Sequence, residues 1–153
     1  MQKEIEYKFL LKKSLSKKFL KKCNLLKIEQ GYLQKNNDLR VRIVNKKEAV
    51  MTLKKGKGLV RNEYEHEIEL NFAKELIKTS VYKLSKLRYE YVHFDGKKWE
   101  LDYYPKIDLW VAEIELKNKK EEFKIPDFIG ENVTGMKKYS NKKLAKLISN
   151  MCN

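Results

Sequence analysis

Residues 3–10, KEIEYKFL, put Glu4, Glu6 and Lys8 on one side of an extended chain and Ile5, Tyr7 and Phe9 on the other. This is the two-residue period of a β-strand with one apolar and one charged face. The same reading extends outward. Residues 39–44 (LRVRIV) oppose Arg40 and Arg42 to Leu39, Val41 and Ile43, and residues 50–54 (VMTLK) oppose Thr52 and Lys54 to Met51 and Leu53. Residues 61–70 (RNEYEHEIEL) gather Arg61, Glu63, Glu65, Glu67 and Glu69 opposite Tyr64, Ile68 and Leu70. Residues 86–94, 97–103 and 110–116 continue the period, and 31–34 (GYLQ) offers an eighth strand. The glycine-containing KKGKGL and FDGKK read as hairpin turns. Apolar residues at helical spacing predict helices over 14–28, 73–85 and 140–151. Strands broken by a few helices without a βαβ rhythm predict an antiparallel α+β fold.

The charged faces are sorted. Acidic pairs stand at Glu4/Glu6, Glu63/Glu65, Glu100/Asp102 and Glu113/Glu115, and basic pairs at Arg40/Arg42 and Lys86/Arg88. An eight-stranded antiparallel β-barrel would turn these faces onto one charged lumen and leave the apolar faces to about three helices. Charges gathered in that way must pair, hold metal or receive a charged ligand. The carboxylates have no His or Cys among them, so they form a hard oxygen set suited to Mg²⁺ or Mn²⁺. His66 and His93 lack a second nitrogen or sulfur ligand at useful spacing and read as packing or surface residues.

Composition narrows the partners. The chain has 153 residues, the size of one domain, so 1–153 is read as a single unit. Its net charge of +14 calls for a polyanionic partner. Only four of the 35 basic residues are arginines, and all four fall in strand-like segments, where a planar fork of donors suits phosphate oxygens. No apolar run approaches the ~18 residues of a membrane span, so no membrane partner is expected. Two cysteines, Cys23 and Cys152, exclude a disulfide scaffold and point to a cytoplasmic setting.

The opening EIEYKF, then GYLQ, LRVRI, TLKKGKG, RNEYEHEIEL, KLRYEY, WELDYY, AEIEL and VTGMKKYSN, resembles in order and rough spacing the CYTH superfamily, or triphosphate tunnel metalloenzymes. The resemblance covers nearly the whole chain. It implies a tunnel that binds a triphosphate end-on and hydrolyses it with divalent metal. By position, it implies Glu4, Glu6, Asp102, Glu113 and Glu115 as metal carboxylates, and Lys8, Arg40, Arg42, Lys54 and Arg88 as a phosphate clamp. Lys137 or Lys138 would close the clamp from the C-terminal segment. Glu63 and Glu65 would orient water or hold a second metal, and Tyr32 with Lys86 would prepare the attacking water. Within the family the stretches look most like small bacterial tripolyphosphatases. Nucleoside or thiamine triphosphate hydrolysis and class IV adenylyl cyclisation are the alternatives on the same fold. A non-catalytic polyphosphate or RNA binder is the rival from another class, although an acidic lumen would repel phosphate without metal, so nucleic acid is not the expected partner. A homodimer is compatible with the resemblance.

Overall fold

Eight strands close on themselves in the computed structural model, which describes residues 1–151. In chain order they are β1 (Gln2–Leu11), β2 (Asn24–Tyr32), β3 (Asp38–Val44), β4 (Glu48–Lys55), β5 (Val60–Glu67), β6 (Tyr82–Val92), β7 (Lys98–Tyr104) and β8 (Leu109–Leu116). Their lateral order is β5-β4-β3-β2-β6-β7-β8-β1, and β1 pairs back onto β5 to complete an antiparallel barrel. A ninth strand, β9 (Ile129–Asn132), pairs with Phe9 and Leu11 of β1, whereas β5 pairs with β1 only over Gln2–Ile5. The C-terminal segment therefore occupies the edge of β1 beyond its pairing with β5.

The helices are α1 (Lys17–Lys21), α2 (Leu70–Thr79) and α3 (Asn141–Met151). The helix expected over 14–28 shrinks to α1, and residues 24–32 form β2. All nine residues of β2 are in register with β6, from Asn24 opposite Glu90 to Tyr32 opposite Tyr82, so closing the barrel overrides the local helical spacing. Gly31 lets β2 pass close to the end of α2, since a Cβ there would lie 2.2 Å from Ser80 Oγ. The helix expected over 73–85 instead starts at Leu70 and ends at Thr79, with Tyr82 onward in β6. Its start is fixed by Glu69, whose carboxylate accepts from the Asn71 and Phe72 amides, so the strand expected over 61–70 stops at Glu67. β9 had no counterpart in the alternation pattern.

Alternation decides what each face touches. Outward residues of β1, β7 and β8, among them Phe9, Trp99, Leu101 and Ile114, bury against Phe128 and Ile129, with Phe19 of α1 packed alongside. Val41, Ile43 and Ala49 on the outside of β3 and β4 pack under Ala73 and Ile77 of α2. Burying each large apolar side chain stabilises by roughly 1.5–3 kcal/mol. α3 differs from the other helices. Its Leu144, Ala145 and Ile148 pack on Tyr32, Leu84, Tyr104 and Val111. These share the inward face with Arg40, Gln30, Asp102 and Lys86, so α3 closes one end of the barrel. Cys23 is a free, half-buried thiol, and Cys152 lies outside the described residues. Among the described residues no helix is long and apolar enough to cross a membrane.

Candidate functional site

The inward side chains grade from acidic and accessible to buried and closed. Along β8 the sequence Glu115, Glu113, Val111 runs from exposed to sealed; along β7, Glu100, Asp102 and Tyr104 run from half-buried to sealed. Cross-strand register brings the acids together: Glu6 lies opposite Glu115, Lys8 opposite Glu113, and Arg88 opposite Asp102.

At the closed end, Asp102 has no solvent exposure and is held by two cations. Lys86 Nζ donates to Oδ2 at 2.6 Å, while Arg88 donates from Nε to Oδ1 at 2.7 Å and from Nη2 to Oδ2 at 2.9 Å. Burial alone would raise the Asp102 carboxyl, but Arg88 and Lys86 hold it far below the usual carboxylate range. Lys86 is pulled the other way. Burial, together with Arg88 and Arg42 nearby, lowers its ammonium to about 7 even with Asp102 beside it. Its remaining neighbours are Asn141 Oδ1 at 2.9 Å and Tyr104 Oη at 3.5 Å, and Tyr104 in turn donates to Asn141 at 2.5 Å.

Two of these contacts differ from the arrangement the resemblance implies. The tyrosine in contact with Lys86 is Tyr104. The Tyr32 hydroxyl, paired with Lys86 in the sequence reading, instead accepts from Gln30 Nε2 at 3.3 Å and bonds to Arg40. Asp102, expected among the metal carboxylates, has both oxygens engaged by Lys86 and Arg88.

The arginines crowd one wall. Arg42 Nε donates to the buried Gln30 Oε1 at 3.0 Å, and burial together with Arg40 and Arg88 lowers its guanidinium to about 10. Arg40 is buried too, and its Nε has no hydrogen-bond partner. Lys8 Nζ donates to the Tyr139 carbonyl at 3.2 Å and sits 3.5 Å from Glu113. Burial would raise Glu113, but Lys8, with Lys86 and Arg88, holds it at about 2, and its Oε1 is buried without a hydrogen bond.

The carboxylates at the open end are less well neutralised. Lys54 Nζ lies 2.9 Å from Glu4 and 3.8 Å from Glu63. Glu63 is raised to about 7, first by its hydrogen bond with Glu4 and then by burial. Glu6 is raised to about 8 by burial and by the negative charge of Glu113. Burial and Glu4 also raise Glu115. Glu65 is exposed, and its Oε2 accepts from the buried Thr52 hydroxyl at 3.2 Å. Among the described residues no group of three or more Asp, Glu, His or Cys side chains is arranged to hold a metal ion unaided.

A cavity of about 280 Å³ opens beside these acids, between Gly56–Leu59 and the C-terminal segment. Lys137 lines it together with Glu4, Glu6 and Lys8. Lys138 is not among its lining residues; its ammonium lies over the Tyr139 ring, 5.0 Å from the centroid. Sequence reasoning missed Tyr104, Gln30 and Asn141. Tyr104 was within reach, because it continues the Glu100–Asp102 parity, and Gln30 fell between the helix expected over 14–28 and the strand expected over 31–34. Asn141 left no signal, because only the docking of α3 brings it to Lys86.

The CYTH domain family model matches residues 2–148. An inorganic triphosphatase of Acetivibrio thermocellus is 38% identical over 156 residues, covering 95% of each chain. An inorganic triphosphatase of Nitrosomonas europaea is 36% identical over 126 residues, covering 77% of this chain and 83% of that one. Among solved structures, the inorganic triphosphatase NE1496 superposes with a TM-score of 0.66 at 31% identity, covering 95% of both chains.

Proposed function

The chain belongs to the CYTH domain family, and from that premise we propose that it is a triphosphatase that hydrolyses inorganic triphosphate to diphosphate and phosphate. The observation that carries this reading is a double imbalance on one inward surface. Burial, with Arg40 and Arg88 beside it, lowers Arg42 to about 10, while burial, with the negative charge of Glu113, raises Glu6 to about 8. A polyphosphate against the first set and a divalent cation against the second would relieve both.

The carboxylate set suits such a cation. Glu4, Glu6, Glu113 and Glu115 offer hard oxygens, Glu113 Oε1 is buried with no hydrogen-bond partner, and burial, with neighbouring carboxylates, raises Glu6 and Glu115. Mg²⁺ and Mn²⁺ are the ions we assign, with one or two carboxylates and the substrate's own oxygens sharing the coordination. When bound, the ion neutralises phosphate charge and acidifies water. Asp102 is left out of this set, because Lys86 and Arg88 already engage both of its oxygens.

The chain's own groups supply the rest. Lys8, Arg40, Arg42 and Lys54 hold the phosphate oxygens, and Lys137 approaches from the cavity rim. Arg88 is fixed by Asp102 and Glu100, so its guanidinium is positioned before substrate arrives. Lys86, near 7 and held by Asp102 and Asn141, can keep or release a proton at Nζ around neutral pH. Tyr104 is its phenolic neighbour. Glu63 and Glu65 remain our candidates for orienting water. The free Cys23 thiol supports a cytoplasmic setting as part of the same proposal.

The test is phosphate release from tripolyphosphate, ATP and thiamine triphosphate in Mg²⁺, Mn²⁺ or EDTA, beside Glu113→Gln. Metal-dependent release that prefers tripolyphosphate and is lost in the variant is the expected result. Preference for another substrate would keep the chemistry and change the substrate. No release in any metal would overturn the hydrolase reading.

A further inference from the structure

Arg61 of β5 faces inward yet has no part in the assignments above. Its Nη2 is ion-paired with Asp38, the first residue of β3, and since β4 runs between those strands the contact reaches over Lys54. Arg61 Nε is shielded from solvent and has no hydrogen-bond partner, the same condition as Arg40 Nε. Both arginines line one recess of about 40 Å³ together with Lys8 and Lys54, in which Asp38 and Glu6 are the carboxylates. Asp38 and Arg61 also border the 280 Å³ cavity and a third, more open one, so the pair stands where three spaces meet at the way in from solvent. Asp38 is steadied from α3. Lys142 Nζ lies 3.9 Å from it and donates to the carbonyls of Lys35, at 2.6 Å, and Asn37.

A carboxylate on one nitrogen of a guanidinium, inside a recess lined by further cations and with the guanidinium Nε left unpartnered, occupies the place of an anionic ligand oxygen. We propose that Arg61 is a further phosphate-binding residue of this tunnel, and that Asp38 is an internal competitor that holds Arg61 until an entering triphosphate displaces it. This rests on the triphosphate reading. A triphosphate carries several negative charges where Asp38 carries one, so the exchange favours the ligand. Asp38 is about one-third exposed, so its carboxylate regains water when released.

The experiment is calorimetric titration of the full chain with tripolyphosphate in EDTA, where turnover is prevented, alongside KM measured with Mg²⁺. Arg61→Ala should weaken binding about tenfold or more, and Arg61→Lys should fall between it and wild type. Asp38→Asn should tighten binding by about threefold and lower KM, the size expected for a half-screened pair. In the double variant that gain should vanish, because Asp38 acts only through Arg61. Wild-type affinity in Arg61→Ala, or a gain from Asp38→Asn that persists without Arg61, overturns the proposal. So does equal loss of melting temperature in both single variants with affinity unchanged, the signature of a strut. Wild type that binds with this variant pattern but releases no phosphate would sink the hydrolase reading and leave Arg61 standing. Wild type that binds no tripolyphosphate in EDTA and releases no phosphate with Mg²⁺ removes both.

Discussion

The two ends of the barrel solve the same electrostatic problem in opposite ways. At the closed end Asp102, Lys86 and Arg88 are buried together with short contacts on both carboxylate oxygens, under a cap of apolar side chains from α3. At the open end Glu4, Glu6, Glu63 and Glu115 outnumber the cation nearest them, Lys54, which reaches only Glu4 and Glu63. The first arrangement is complete within the protein. The second is complete only with something bound. Charge sequestered from water has to be matched where it sits, so a region left unmatched beside a cavity is where a ligand's charge belongs.

Asp102→Asn attacks the complete end and carries the largest expected effect. It leaves Lys86 buried without its ion-pair partner and Arg88 with Glu100 as its nearest counter-charge, a loss of about 3–5 kcal/mol in unfolding free energy measured from urea midpoints. Glu115→Gln at the open end should leave the midpoint unchanged or raised, since burial and Glu4 already disfavour the charged Glu115 carboxylate. Equal losses in the two variants would erase the contrast. Arg40→Ala comes next and should separate binding from stability. Arg40 is buried with a free Nε, so its removal should cost kcat/KM about 2–4 kcal/mol of transition-state stabilisation. Its urea midpoint should stay close to that of wild type. A collapse in stability would mean that Arg40 is structural.

How far the sequence reveals this contrast depends on which forces act locally. Alternation in KEIEYKFL or WVAEIEL is a property of neighbouring residues, so the strands, their inward faces and the clustering of acids could be read directly. β2 could not, because NLLKIEQGY follows a run of helically spaced apolar residues and is extended only by pairing with β6. With residues 24–28 expected as helix, the strand that carries Gln30 inward could not be read as far as its pairing with β6. The inward face of Lys86 was legible from alternation, but its environment was not. Asn141 comes from α3, and Tyr104 becomes its neighbour only once α3 has closed the barrel. The Asp38–Arg61 pair also escaped, since nothing in sequence links the first residue of β3 with β5 across an intervening strand. What could be read was periodic; what could not was set by closure.

The smallest effect is the most direct probe of the open end, because pH changes its charge without changing its shape. Glu6 at about 8 and Glu63 at about 7 bind protons in the folded state that the unfolded chain, near 4.5, has released. The folded state therefore holds more protons between about 4.5 and 8, and metal-free stability should fall as pH rises through that window. Glu113 has the opposite sign. Held at about 2, it contributes stability that is complete above 4.5 and lost as pH falls toward 2. Metal-free melting temperature should therefore peak near pH 5, and Mg²⁺ should raise it more at pH 8 than at pH 5. Glu63→Gln removes one of the groups behind the alkaline decline while keeping the side chain's size. It should flatten that limb and stabilise the metal-free protein at pH 8 by about 1 kcal/mol, with no gain at pH 4 where Glu63 is protonated in wild type. A variant less stable than wild type at pH 8 would show that Glu63 is satisfied by Lys54, and the open end would then be as complete as the closed one.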